Sequence, residues 1–351
     1  MSALDDFGGW PGLLSALLER RHLTSHEARA AMSTILSGDA TPAQLVGFVV
    51  ALRAKGETAE ELSGLLDAAL ENAAIVPLTD EERASTIDIV GTGGDKSHSI
   101  NISTMAALVT AGAGARVCKH GARAASSKCG TADVLEALGV AVELSPEGVA
   151  HCVRTAGIGF CLAPRFHPAF RFAAPSRREI GIPTVFNLLG PMANPGRVRR
   201  QVIGVADLGF AERMLETLCS HGSIAAWVVH GDGLDELSTT GKSHVLALRD
   251  GGTSHFVVDP TELGLDRVDA SALVGGEPAE NAAVVRAVLA GKPGPHRDVV
   301  VLNAGAGLVV AGMADDLAAG IAMSCESIDS GRAAAALDAL VAASTEAAAT
   351  D

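Results

Sequence analysis

Residues 86–104 read TIDIVGTGGDKSHSINIST. A short apolar strand, IDIV, runs into three glycines, then an aspartate, then an Asn-Ile-Ser-Thr segment that opens a helix. Glycine after a strand lets backbone amides approach a ligand with no Cβ in the way, and the helix adds its N-terminal amides and dipole. Gly91, Gly93 and Gly94 ahead of Asn101, Ile102, Ser103 and Thr104 therefore suit an anion, although a tight strand-to-helix turn also needs glycine for packing alone. The spacing fits neither G-x-G-x-x-G nor G-x-x-x-x-G-K-[ST], which removes support from nicotinamide binding and ATP hydrolysis.

Upstream of this stretch the chain reads as helices. Thr24 with Glu27, and Thr58 with Glu61, have capping-box spacing; Thr41-Pro42 starts another helix, and Lys55-Gly56 stops it. Downstream, short β-branched runs (RVCK, GFCLA, RQVIGVA, IAAWVVH) alternate with helical segments, which implies a mainly parallel sheet with crossover helices. The expected fold class is α/β: a small all-helical N-terminal domain over residues 1–84 and a larger α/β domain over 85–351. Residues 167–195, with five prolines and a basic cluster, are read as a hinge or a return to the helical domain. Beyond Asp250 the reading is a strand HFVVD, a helix ENAAVVRAVLAG, a buried strand DVVVLNAG and Ala-rich terminal helices.

A composition 48% hydrophobic and 19% charged describes a compact globule. The opening MSALDDFGGWPGLL has no basic n-region or long apolar core, and no segment offers about 18 uninterrupted apolar residues, so the expectation is a cytoplasmic protein without membrane insertion. Six scattered cysteines, with no C-x-x-C pair, suit reduced thiols. A net charge of -14 argues against a nucleic-acid surface, which needs clustered Lys and Arg. An anionic small substrate needs only a local positive site.

Residues 119–139, KHGARAASSKCGTADVLEALG, supply one. Lys119 and His120 end a strand, and Arg123, Ser126, Ser127, Lys128 and Thr131 bring cations and hydroxyls ahead of a helix. Two such turns after two strands lie side by side at the carboxyl edge of a parallel sheet, the usual ligand edge, and together favour a substrate with several phosphates. In VVHGDGLDELSTT, residues 228–240, Asp235 and Glu236 follow a buried strand and a glycine turn. Paired carboxylates beside phosphates suit Mg²⁺, a hard cation that bridges protein acids to polyphosphate; an exposed acidic turn is the other reading.

GTGGD with NIST, KHG-x-R-x-x-SSK-x-G-x-ADVLEALG, HPA with RRE-x-G, FN-LLGP-x-x-NP and VHG-x-GLDE-x-S, in that order, resemble the anthranilate phosphoribosyltransferase family of tryptophan biosynthesis. The resemblance runs from about Leu13 to the C-terminal helices. It implies a homodimer of two-domain subunits, related in layout to nucleoside phosphorylases, joining the amine of anthranilate to C1 of phosphoribosyl pyrophosphate with Mg²⁺. It assigns phosphoribosyl pyrophosphate to Gly91, Gly93, Gly94, Asp95, Ser99, Asn101, Ile102, Ser103, Thr104, Lys119, Arg123, Ser126, Ser127 and Thr131. Anthranilate falls to Gly91, Ala122 and Arg177, with Arg177 facing its carboxylate, and the metal to Ser103, Asp235 and Glu236. His120 is a candidate general base.

One position departs from the family pattern. Where the family usually reads KHGNR, this chain has Ala122, so a polar contact to the acceptor is lost; such a contact is worth about 1–3 kcal/mol. Cys129 also replaces a usual serine. The same donor chemistry on another aminobenzoate or arylamine is therefore the alternative. A pyrimidine nucleoside phosphorylase and a nucleic-acid-binding relative are further rivals, disfavoured by the Asp-Glu pair and the acidic composition respectively.

Overall fold

The structure, a computed structural model, describes residues 4–124 and 127–350. Helices Gly9–Leu18, Ser25–Ser37, Pro42–Lys55 and Ala59–Glu71 form the N-terminal layer. Thr24, Thr41 and Thr58 each accept a hydrogen bond from the amide three residues on, while Glu27, Gln44 and Glu61 reach back to the cap amide. Glu61 does more than cap: it is buried, accepting from the Leu23 amide at 2.8 Å and from Lys55 Nζ at 2.9 Å, which joins two helices through an ion pair out of water.

One seven-stranded sheet follows: β1 Thr86–Gly91, β2 Arg116–Gly121, β3 Ile158–Leu162, β4 Arg200–Gly204, β5 Ala225–Gly231, β6 Ser243–Arg249 and β7 Gly252–Val258, in the order β3-β2-β1-β4-β5-β6-β7. The first five are parallel and the last two antiparallel. The chain moves outward from β1 to β3 and then returns to lay β4 on the other side of β1. This reversal opens a crevice at the carboxyl ends of β1 and β4. Alternation along the strands covers both faces. Ile87, Ile89, Val202 and Trp227 pack into the layer of helices Ile102–Gly112, Pro295–Ala311 and Arg332–Ala348. Val90, Ile203, Ala226 and Val228 pack into the core shared with helix Ala211–Ser220 and the N-terminal helices.

The segment within 167–195 folds back onto the N-terminal layer: Pro168–Phe172 packs on Ser25–Ser37, Ala174–Ile180 on Pro42–Lys55, and Val185–Met192 on Ala59–Glu71. Two elements differ from expectation. DVVVLNAG is not a strand but part of helix Pro295–Ala311, with Pro at its first turn and Gly312 as a left-handed cap. It is buried almost all round, so its apolar run has no period to separate helix from strand, and Gly305 and Gly307 admit close neighbours at Ile321 and Ile89. β6, SHVLALR, is an additional strand that the pattern passes over. The six cysteines form no disulfide among the described residues. Among the described residues no helix is long and apolar enough to cross a membrane.

Candidate active site

The glycine turn after β1, the turn after β2 and the acidic doublet after β5 meet at one cavity of about 410 Å³. Gly91, Gly93, Gly94, Asp95, Ser99, Asn101, Ile102 and Ser103 line it from the first turn. Lys119, His120, Ala122, Arg123, Ser127 and Thr131 line it from the second, and Asp235 and Glu236 from the third.

The first turn is held at both ends. Asp235 Oδ2 accepts from the Gly93 amide at 2.7 Å. Further on, Gly275 N donates to His98 O at 2.8 Å and Ile100 N to Leu273 O at 2.9 Å, strapping the turn to residues 273–275. Between these anchors Gly93, Gly94, Lys96 and His98 all have left-handed φ, the last two without glycine's freedom, so the turn carries local strain. The acidic doublet sits against glycines of three adjacent strands. A Cβ on Gly91 would lie 2.1 Å from Asp235 Oδ2, on Gly204 1.5 Å from the Asp235 carbonyl oxygen, and on Gly231 2.3 Å from that of Glu236. Only bare backbone lets the two acids come this close.

Charge is concentrated here. Burial, then the neighbouring Asp95, raises the proton affinity of Asp235; burial, then Asp235, raises that of Glu236. Lys119 is also buried, and desolvation lowers its pKa against the pull of Asp88, Glu236 and Asp235. Its Nζ donates to Ile89 O and, at 3.2 Å, to Ser103 Oγ. Among the described residues no group of three or more His, Cys, Asp or Glu side chains forms a metal cage. The donor set is two adjacent carboxylates, Glu236 buried and Asp235 partly so, and a hydroxyl, all hard oxygens. That set fits Mg²⁺, which takes a few protein oxygens together with substrate phosphate.

The remaining expected residues lie as follows. Asp133 folds the second turn by accepting from Ala124 N at 2.9 Å and Gly130 N at 2.8 Å, and Arg123 is engaged by Glu136 and Asp133. Thr104 is buried and lies outside the cavity lining, one position round the helix from Ser103. Arg177 also lies off this lining; its guanidinium stands 5.0 Å from the Phe186 ring centroid, with no ion pair among the described residues. Ser126 is outside the described residues. His120 is buried: Nδ1 donates to Gly190 O at 3.1 Å, Nε2 has no partner among the described residues, and burial beside His167 holds its pKa well below the usual imidazole range.

Several supporting residues escaped the sequence reading. Asn303 Oδ1 accepts from Leu237 N at 2.9 Å and Nδ2 donates to Leu237 O at 2.8 Å, fixing the residue after Glu236. Asn281 donates to Asn101 Oδ1 at 2.8 Å. Beneath β2, buried Asp88 accepts from His120 N at 3.1 Å and Asn194 Nδ2 at 2.7 Å. Asn187 lines the cavity from the returning segment. Asn187 and Asn194 fall in FN-LLGP-x-x-NP and Asp88 in the stretch 86–104; Asn281 and Asn303 carry no local signal.

Residues 83–334 match the model of the glycosyl transferase family, a/b domain, and residues 11–73 that of its helical bundle domain. The anthranilate phosphoribosyltransferase of Salinispora arenicola is 49% identical over 334 residues, 94% of this chain and 95% of that protein. That of Chloroflexus aggregans is 51% identical, over 94% of this chain and 97% of that protein. Among solved structures, anthranilate phosphoribosyltransferase from Thermus thermophilus superposes with a TM-score of 0.89 at 40% identity, covering 98% of this chain and all of that one. The Saccharomyces cerevisiae enzyme in complex with PRPP and Mg gives 0.87 at 29% identity, covering 97% and 98%.

Proposed function

The chain belongs to the anthranilate phosphoribosyltransferases, and from that premise we propose how its own residues divide the reaction. It is a Mg²⁺-dependent pentosyltransferase that moves the phosphoribosyl group of phosphoribosyl pyrophosphate to the amine of anthranilate, giving N-(5-phosphoribosyl)anthranilate and pyrophosphate. The observation that carries the reading is the convergence of two sheet-edge turns and the Asp235–Glu236 pair on one cavity.

The amides and hydroxyls of Gly91, Gly93, Gly94, Ser99, Asn101 and Ser103 receive one end of the donor, and Lys119, Ser127 and Thr131 the other phosphate-bearing surface. Holding both ends fixes C1 for in-line attack, since orientation removes much of the entropic barrier. Ser103, Asp235 and Glu236 would hold Mg²⁺, which when bound neutralises charge on the departing pyrophosphate. The C1–N bond forms as the C1–O bond breaks. The N-alkylated arylamine is then a strong acid, so its proton passes to the departing pyrophosphate or to solvent without a dedicated base. His120 is assigned to positioning: with Nδ1 committed to Gly190 and Nε2 buried beside His167, it ties β2 to helix Val185–Met192. Arg177, half-buried with no carboxylate partner among the described residues, is the receptor for the acceptor's carboxylate. A homodimer in the cytoplasm completes the reading; sedimentation of the pure protein tests the assembly.

The decisive experiment mixes protein, Mg²⁺ and phosphoribosyl pyrophosphate with a panel of aminobenzoates and follows loss of free arylamine. Turnover of anthranilate that requires both donor and Mg²⁺ supports the reading, and its absence overturns it.

A further inference from the structure

Helix Val185–Met192 is buried along its length except at Asn187 and Gly190. These two are three apart, hence on one helical face. Gly190 uses its carbonyl to hold His120, and a Cβ built on it meets nothing within 4 Å, so space opens on this face. Asn187 lines the cavity that also holds Ala122. Its Oδ1 is occupied, accepting from the Thr184 amide at 3.1 Å, and Nδ2 has no partner among the described residues. What Asn187 offers the cavity is therefore a pair of N–H donors. Phe186, the preceding residue, carries the Arg177 guanidinium over its ring. The donor-binding turns, by contrast, belong to the sheet edge.

We propose that Asn187 reads the acceptor: its side-chain amide donates to the carboxylate of an ortho-aminobenzoate, supplying from the returning helix the polar contact that Ala122 does not make. The assignment rests on the reaction proposed above. It places two anion-seeking groups on one segment, Asn187 at the cavity and Arg177 off its lining over the adjacent Phe186 ring, the first acting through direction and the second through charge. It also makes acceptor recognition depend on the returning segment, so donor and acceptor are gripped by different parts of the fold.

Asn187→Asp tests this with little change of shape. The aspartate keeps an oxygen for Thr184 N but turns the donor into a negative charge. The expected result is a KM for anthranilate raised about tenfold or more, a KM for phosphoribosyl pyrophosphate within twofold of wild type, and preference for anthranilate over anthranilamide shifted about tenfold toward the uncharged amide. Where the amide is not turned over, its Ki as a competitor replaces its KM. Adding Ala122→Asn to Asn187→Asp should recover part of the anthranilate loss. If Asn187→Asp unfolds, Asn187→Ala gives the same direction of change, since it removes the side-chain donor altogether. An unchanged anthranilate-to-anthranilamide ratio, or equal changes in both substrates' KM, overturns the assignment. A wild type that turns over no ortho-aminobenzoate overturns both this and the proposed function, and that control separates the two failures.

Discussion

The side-chain carboxylate of Asp235 accepts a 2.7 Å hydrogen bond from the backbone amide of Gly93, although 142 positions separate them. The bond makes one unit of the acidic doublet and the glycine turn. Replacing both Asp235 and Glu236 by Ala should lower Mg²⁺-dependent turnover by about 10²-fold or more. Burial disfavours both charges, so their removal should leave the melting temperature unchanged or raised. Turnover against Mg²⁺ concentration, beside a thermal melt, checks both halves; wild-type rates in the double variant would remove the metal assignment.

Gly204 and Gly93 should both lose stability on change to alanine, for different reasons. At Gly204 the new Cβ would fall 1.5 Å from a backbone oxygen of the acidic loop, which must move; the expected cost is about 1–3 kcal/mol or more, with loss of activity. At Gly93 nothing lies within 4 Å, and the cost is the left-handed φ alone, about 1–2 kcal/mol. Urea denaturation of the two variants, with activity measured on each, distinguishes crowding from strain.

His167 predicts a loss of stability in acid. Burial holds its pKa at about 4, against 6.5 for the free imidazole. Between those values the unfolded chain binds the proton and the folded one does not, so stability is intact above pH 6.5 and falls as the pH drops toward 4. This group alone contributes a fall of roughly 3 kcal/mol from pH 7 to pH 4. Its neighbour His120, shifted in the same direction, adds to the fall. Denaturant midpoints across this range should show the slope in wild type and a shallower one in His167→Gln.

Lys55→Met should destabilise the helical layer by about 3–5 kcal/mol, because it strands the Glu61 carboxylate out of water. Lys55→Met with Glu61→Gln keeps the Thr58 cap without the charge but leaves the Leu23 amide without its acceptor, so it should recover part of the loss. Urea denaturation of the single and double variants measures the difference.

The sequence makes legible what local chemistry dictates. Glycines 91, 93 and 94, the NIST opening, the KHG turn and the Asp-Glu pair can each be read in place, and their meeting follows from parallel strands sharing one edge. What cannot be read is who holds them there. Asn303 fixes Leu237 across 66 positions, Asn281 reaches Asn101 across 180, and Asn194 reaches Asp88 across 106, so no window of sequence contains both partners. DVVVLNAG misleads for a related reason: complete burial erases the periodicity that would separate a helix from a strand. Its asparagine is also the residue that pins the acidic loop.

The change of direction at β6 has a consequence for how such a site can vary. A parallel successor to β5 would carry the chain back to the sheet's opposite rim before a new strand began, leaving only a brief passage at the catalytic rim. Because β6 starts where β5 finishes, the whole of residues 232–242 stays on that rim as a hairpin tip. Variation is confined to its exposed positions, Asp232, Gly233 and Lys242, because Asp235 and Glu236 must rest on their three glycines and Leu237 on Asn303.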